Sequence, residues 1–380
     1  MKMGALDGIT VLDLSRLLPG PFCSMILADH GAEVLAIEDR RFLADDLYFG
    51  DVYRNKRHMT LNLKKEEGKK IFFQLVEKAD IVIEGFRPGV VDRLGVGYAE
   101  ACKVNQALIY CSISGYGQDG GASQVAGHDV NYLSRSGVLD CIGEKQRPPV
   151  IPAVQIADIA GGGMNAVIGI LLALQERHES GKGQYIDISM TDGILGLLTL
   201  PAILQKKTGM KQERSQSMLS HRYACYNTYA TADGRYLALG AVENRFWQNL
   251  CSILELEEYS ALQYDEERRE EIIARLRELF QDKPLSHWEE VLSGADVCYS
   301  KIQNLDEVLE DRLFRNRNMI IETEGPEGVG KTFGVPVKLS RTPGSVRSAP
   351  QPFGGSTRKV LADLGYTGKT IQSYFDTGVV

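Results

Sequence analysis

Two short segments of the chain hold residue types that can move protons. Gly127-His128-Asp129-Val130-Asn131-Tyr132 sets a histidine beside a carboxylate, and Ala157-Asp158-Ile159-Ala160-Gly161-Gly162-Gly163 places an acid ahead of three glycines. A His exchanges protons near neutral pH, and a carboxylate can do so when its surroundings raise its pKa, so the pair suits general acid–base work. Each segment also has a plainer explanation. A lone His where a loop enters a helix is commonly a hydrogen-bonded structural residue, and Asp just ahead of a helix is a favoured N-cap. The glycines weigh against a plain helix start. Each costs about 1 kcal/mol against Ala in a helix, so three in a row imply that a ligand or a backbone comes close.

A second kind of chemistry is anion binding. The net charge is −7, which argues against a nucleic-acid partner, whose protein surface is basic as a rule. An acidic protein that holds an anion needs a local cationic patch. Arg54, Lys56 and Arg57 fall in one short segment, and Arg87 and Arg93 flank a Pro-Gly turn. Any one of these taken alone is a solvated surface charge. Gly325-Pro-Glu-Gly-Val-Gly-Lys-Thr332 spells a nucleotide P-loop. That loop must open a helix, whereas Pro336 and the β-branched residues around it point to a β-hairpin turn between strands over 319–323 and 335–339.

The elements that must position these residues alternate in the first half. Strands are expected at 9–14, 33–37, 80–84, 107–112 and 185–189. Helices are expected at 21–30, 64–78 and, long and apolar, 158–177. That alternation suggests βαβ units on a parallel sheet. After about residue 225 the texture becomes one strand (236–240) and charged amphipathic helices (246–254, 266–279, 286–292). The chain thus divides into a large domain over 1–200, a linker over 201–225, a small domain over 226–325, and a segment over 326–380 that returns to the large domain. The returning segment ends in one helix, 357–364. Seven scattered cysteines without a C-x-x-C pair fit reduced thiols in a cytoplasm. The opening lacks a signal peptide, and the apolar run around 163–174 is short for a membrane span. A soluble cytoplasmic protein, without membrane or nucleic-acid partner, is expected.

The two proton-moving segments, together with residues 84–95 (EGFRPGVVDRLG), 112–118, 180–187, 231–236 and 339–344, resemble the class III CoA-transferase (CaiB/BaiF) superfamily, most of all its α-methylacyl-CoA racemase branch. The resemblance spans nearly the whole chain. It implies an α/β fold with a Rossmann-like large domain, a smaller α+β domain, and an interlocked homodimer whose site lies between the large domain of one subunit and the small domain of the other. It further implies that His128 and Asp158 are the opposed bases, accompanied by Asp129 and Glu243. Arg40, Arg57, Arg87 and Arg93 would hold the CoA moiety of an acyl-CoA substrate, and a backbone N–H near Gly161–Gly163 would face the enolate-like oxygen. Arg40 stands a position or two from where such racemases carry their arginine. No tightly bound cofactor and no metal are implied. The rival is a CoA-transferase in which Asp158 attacks the thioester, passing through a mixed anhydride to an aspartyl-CoA thioester. A silent binding subunit is the third reading, opposed by intact His128, Asp158 and Glu243. The acyl group stays open.

Overall fold

The computed structural model describes residues 4–43, 50–325 and 328–380 of the 380-residue chain, which divide into two compact units. The first comprises residues 1–136, 152–197 and 311–380; the second comprises 137–151 and 198–310.

In the first unit, strands β1 (Thr10–Asp13), β2 (Glu33–Glu38), β3 (Lys56–Thr60), β4 (Ile81–Glu84), β5 (Ile109–Ser114) and β6 (Tyr185–Ser189) form one sheet in the order β3-β2-β1-β4-β5-β6. Every pairing is parallel. Parallel strands need crossover helices, which cover both faces, so the central strands read as continuous apolar runs. Ile81, Val82 and Ile83 are fully buried accordingly. Helices α1 (Pro19–Asp29), α2 (Glu66–Val76), α3 (Val90–Leu94), α4 (Tyr98–Val104) and α5 (Asp129–Ser136) follow in turn. The strand order reverses between β1 and β4. In open α/β sheets ligands settle in the crevice at the carboxyl ends of the strands on either side of such a switch.

The expected long helix has two parts. Residues Ala157–Met164 form wide π-helical turns, and α6 (Asn165–Ser180) continues them. Together they make 24 residues, long and apolar enough to cross a membrane, where the shorter apolar run in the sequence had argued otherwise. The glycine face is packed inside the unit. A Cβ on Gly161 would sit 2.4 Å from the Met190 carbonyl oxygen, on Gly162 3.0 Å from Pro19 Cβ, and on Gly163 2.9 Å from Phe22 Cδ1. The three glycines therefore admit α1 and α7 (Met190–Leu195) at backbone distance. Their explanation is close helix packing rather than room for a ligand.

The second unit begins its main run with α8 (Thr199–Thr208). It holds an antiparallel sheet of β7 (Tyr226–Ala230), β8 (Tyr236–Gly240) and β9 (Tyr299–Lys301), with α9 (Asn244–Ile253), α10 (Arg269–Gln281) and α11 (Leu285–Leu292). Its core gathers Tyr229, Trp247, Phe280 and Trp288. Helix α12 (Leu305–Glu310) closes the second unit. From Asp311 the chain belongs to the first again, with α13 (Arg312–Asn316) and a hairpin of β10 (Ile320–Gly325) paired antiparallel with β11 (Gly328–Phe333). The P-loop letters thus lie on a hairpin, as the sequence indicated, but Gly328–Thr332 belong to its second strand, which was expected at 335–339. Pro326 and Glu327 of that pattern lie outside the described residues. The tail ends in two helices, α14 (Thr357–Asp363) and α15 (Gly368–Asp376), where one was expected. Val360, Leu361, Ile371 and Val380 join the core of the first sheet.

Candidate active site

The segment 127–132 folds into a tight arrangement at the start of α5. The Tyr132 hydroxyl donates to the Gly127 carbonyl at 2.6 Å, and the His128 N–H donates to Asn131 Oδ1 at 3.0 Å. A Cβ on Gly115 or Gly127 would fall 2.5 or 2.7 Å from the Tyr132 ring, so both glycines are there to clamp that ring. His128 is left exposed with its backbone fixed on both sides. Asp129 is half-buried, and its Oδ1 accepts the backbone N–H of Asp158 at 2.9 Å. One carboxylate thus ties the histidine segment to the acid segment.

Asp158 is not an N-cap. It lies in the first turn of the π-helical segment, after Ile156, and its half-buried carboxyl stands within electrostatic reach of Asp129 and His128. Burial pushes its pKa up from 3.8 to about 6; the like charge of Asp129 adds to this and His128 opposes it. That brings Asp158 into the range where imidazoles titrate, the matching a two-way proton exchange requires. π-helical turns inside longer helices recur at functional sites.

A cavity of about 630 Å³ opens at the carboxyl ends of β1, β2, β3 and β4, on the switch point of the sheet. Its walls come from the loop after β1 (Leu14, Ser15, Arg16, Leu17), the stretch after β2 (Asp39, Arg41, Phe42), Lys64 after β3, and Phe86, Val90 and Leu94 after β4. Leu17 holds a positive φ of 65°, a conformation rare for a bulky side chain. The Arg16 guanidinium lies 3.3 Å over the Phe42 ring. Cavity and acid segment share a neighbour: residues 14–17 line the one, and Pro19 and Phe22, just beyond, pack on the glycines of the other. Phe42, Tyr53 and Phe86 line it with Arg16, Arg41 and Lys64 and with the acids Glu38 and Asp39, Arg41 being paired with Asp39. Aromatic rings beside guanidinium groups suit a nucleotide-like anion.

The basic residues singled out in the sequence are not brought together. Arg54 is buried against Asp29, with Nη2 2.6 Å from Oδ2. Lys56 is fully buried with Nζ 3.5 Å from Asp13 Oδ2. These two are internal ion pairs, so the expected patch does not exist. Arg57 is half-buried, 4.0 Å from both Glu33 and Asp363. Arg40 donates to the Val380 carbonyl at 3.1 Å, while its neighbour Arg41 lines the cavity. Arg87 is exposed on the turn that opens α3, where Gly89 takes a left-handed φ of 77°, and Arg93 is exposed in the last turn of α3 itself. Arg87 acts electrostatically on Tyr132, and Gln124 Nε2 donates to the Pro88 carbonyl at 3.2 Å, so this turn adjoins the histidine segment. Glu243 is exposed at the start of α9 in the second unit, and its carboxylate does not cap that helix. The sequence reading missed Arg16, Arg41 and Lys64. Arg16 stood directly after the first strand, where a doubly wound fold binds its anion.

Among the described residues no group of three His, Cys, Asp or Glu side chains could hold a metal ion. The family model for CoA-transferase family III matches residues 6–357. Alpha-methylacyl-CoA racemase of Mus musculus is 36% identical over 96% of this chain and 95% of its own length. The succinyl-CoA:glutarate CoA-transferase of Homo sapiens is 31% identical over 99% of this chain and 90% of its own. The crystal structure of a CAIB/BAIF family protein from Brucella suis superposes with a TM-score of 0.83 at 28% identity, covering 95% of this chain and 99% of that one. An acidic pair tied to a histidine, beside an aromatic- and cation-lined cavity at the switch point of a parallel sheet, is thus what this sequence builds as a member of the CoA-transferase family III.

Proposed function

We propose that this enzyme racemises 2-methylacyl-CoA thioesters, with His128 and Asp158 as the two bases. The carrying observation is the Asp129–Asp158 bond, which locks an acid of pKa about 6 beside an exposed histidine. One base removes the proton on the carbon next to the thioester. The electron pair moves onto the thioester oxygen as an enolate, and the other group, already protonated, delivers its proton to the opposite face. Burial favours the protonated Asp158 that this return step uses. The cavity would take the nucleotide end of CoA, with Arg16, Arg41 and Lys64 in its lining, Arg87 on the neighbouring turn and Arg93 on α3. CoA enters as part of the substrate, with no resident cofactor.

A second reading is favoured by the transferases among the relatives. There the Asp158 carboxylate attacks the thioester carbon and expels the CoA thiolate, leaving a mixed anhydride. The thiolate attacks the Asp158 carbonyl, releasing the first acid as its carboxylate and leaving an aspartyl-CoA thioester. The acceptor carboxylate then displaces the thiolate as a second anhydride, and the thiolate attacks the acceptor's carbonyl to give its CoA thioester and free Asp158. A single epimer of a 2-methylacyl-CoA, followed by chiral separation with and without added free carboxylate, separates the two. Epimerisation without acceptor supports the racemase; CoA transfer that requires acceptor, with configuration kept, supports the transferase. An interlocked homodimer belongs to the same proposal. Its support is the apolar stripe Met164, Ile168, Leu171 and Leu172, each 44–66% exposed, on a helix whose other face is packed. A cytoplasmic location is proposed from seven unpaired thiols.

A further inference from the structure

Glu84 ends β4, immediately before the Gly85–Gly89 turn, and is 1% exposed. The Phe86 N–H donates to its Oε2 at 2.7 Å. Ser112 lies opposite it across the β4–β5 ladder, and its buried hydroxyl acts on both Glu84 and Tyr185. The groups facing Glu84 are Tyr110 and Cys111 on β5, Tyr185 and Asp187 on β6, and Asp92 on α3. None is a cation. Asp13, the nearest acid of β1, is engaged instead by Lys56, Ser15 and Ser24. Burial, with the like charges of Asp92 and Asp187 behind it, lifts Glu84 to about 7 against the pull of Ser112 and the Phe86 N–H.

A buried carboxyl with only acids around it is best satisfied as the neutral acid. One oxygen accepts the Phe86 N–H and the other donates its proton to Ser112. The turn so fastened carries Phe86 and Val90 to the cavity wall and Arg87 toward Tyr132. We propose that Glu84 is a positioning residue that works as a neutral acid, and that binding of the anionic end of CoA drives it to take up a proton. The inference rests on the cavity being the CoA site. A bound anion adds negative charge near Glu84, which favours the protonated form, and linkage then makes the affinity fall as pH rises.

The test is calorimetric binding of CoA, and of dephospho-CoA to remove the titrating 3′-phosphate, between pH 6 and 8.5. Wild-type protein is expected to lose about tenfold in affinity for dephospho-CoA across this range, the equivalent of a one-unit rise in the pKa of Glu84 on binding. It is also expected to take up a proton, seen as a dependence of the heat on buffer ionisation enthalpy. Glu84→Gln, fixed in the neutral form, should keep its pH 6 affinity up to pH 8.5. Asp158 also titrates in this range, and Glu84→Gln leaves it in place. A pH dependence that survives in Glu84→Gln therefore overturns the assignment. So does wild-type binding with flat affinity and no proton uptake, which holds even if Glu84→Gln fails to fold. Absence of CoA binding at every pH removes the CoA-site reading along with it.

Discussion

Replacing Asp158 with Asn should abolish catalysis and stabilise the fold. The carboxyl is raised from 3.8 to about 6, chiefly by burial, so the folded state prefers the proton more than the unfolded chain does. Such a group supports folding fully below its unfolded pKa, and that support is lost as pH rises through about 6. At pH 7.5 the ionised carboxylate works against the fold. A shift of about two units corresponds to at most about 3 kcal/mol. Partial contact with water reduces that to about 1–2 kcal/mol. Asn keeps the shape and the backbone N–H that Asp129 accepts, while removing the charge and its repulsion with Asp129. Urea unfolding of both proteins should show Asp158→Asn more stable at pH 7.5, with roughly half of that gain left at pH 5. An Asn variant that is no more stable at pH 7.5, or whose advantage is the same at both pH values, refutes a carboxylate held against its preference.

Other perturbations have equally definite outcomes. Gly162→Ala forces a Cβ to 2.9 Å from Met190 Cγ and 3.0 Å from Pro19 Cβ, an overpacking worth about 1–3 kcal/mol, read as a lower thermal midpoint. Lys56→Met leaves Asp13 buried without its cation and should cost about 3–5 kcal/mol in urea unfolding. Tyr132→Phe removes the bond to the Gly127 carbonyl. It should lower kcat with KM for the acyl-CoA nearly unchanged, at a stability cost of about 1 kcal/mol. Arg41→Ala should raise KM for acyl-CoA about tenfold with kcat retained, about the 1.4 kcal/mol of one charged contact.

Much of the first unit is legible because its strands are buried on both faces. Runs such as Ile81-Val82-Ile83 have no other destination than the middle of a sheet. β3 escaped notice for the opposite reason: Lys-Arg-His-Met-Thr reads as surface. Its polarity is internal, since Lys56 meets Asp13, and His58 Nδ1 lies 2.7 Å from Glu38 Oε1. The same strand explains the failed basic patch. Neighbours along a strand point to opposite faces, so Lys56 and Arg57 never share a surface. The histidine and acid segments stood out through their resemblance to the family rather than through their residue types alone, and the three glycines were visible as a close approach. What comes close to them, α1 and α7, depends on partners far off in sequence. The cavity was hidden for that reason too, being assembled from four loops that only the strand order brings together.

The central claim is that two different bases serve the two faces of one carbon. Each epimer of a 2-methylacyl-CoA is incubated separately in D₂O with wild-type protein and with His128→Ala, and deuterium at the α-carbon and configuration are followed together. Wild-type protein is expected to label and epimerise both epimers, and His128→Ala to lose epimerisation from either side. Wild-type protein that leaves the α-proton of both epimers unexchanged, or a His128→Ala variant that epimerises as fast as wild type, contradicts the account.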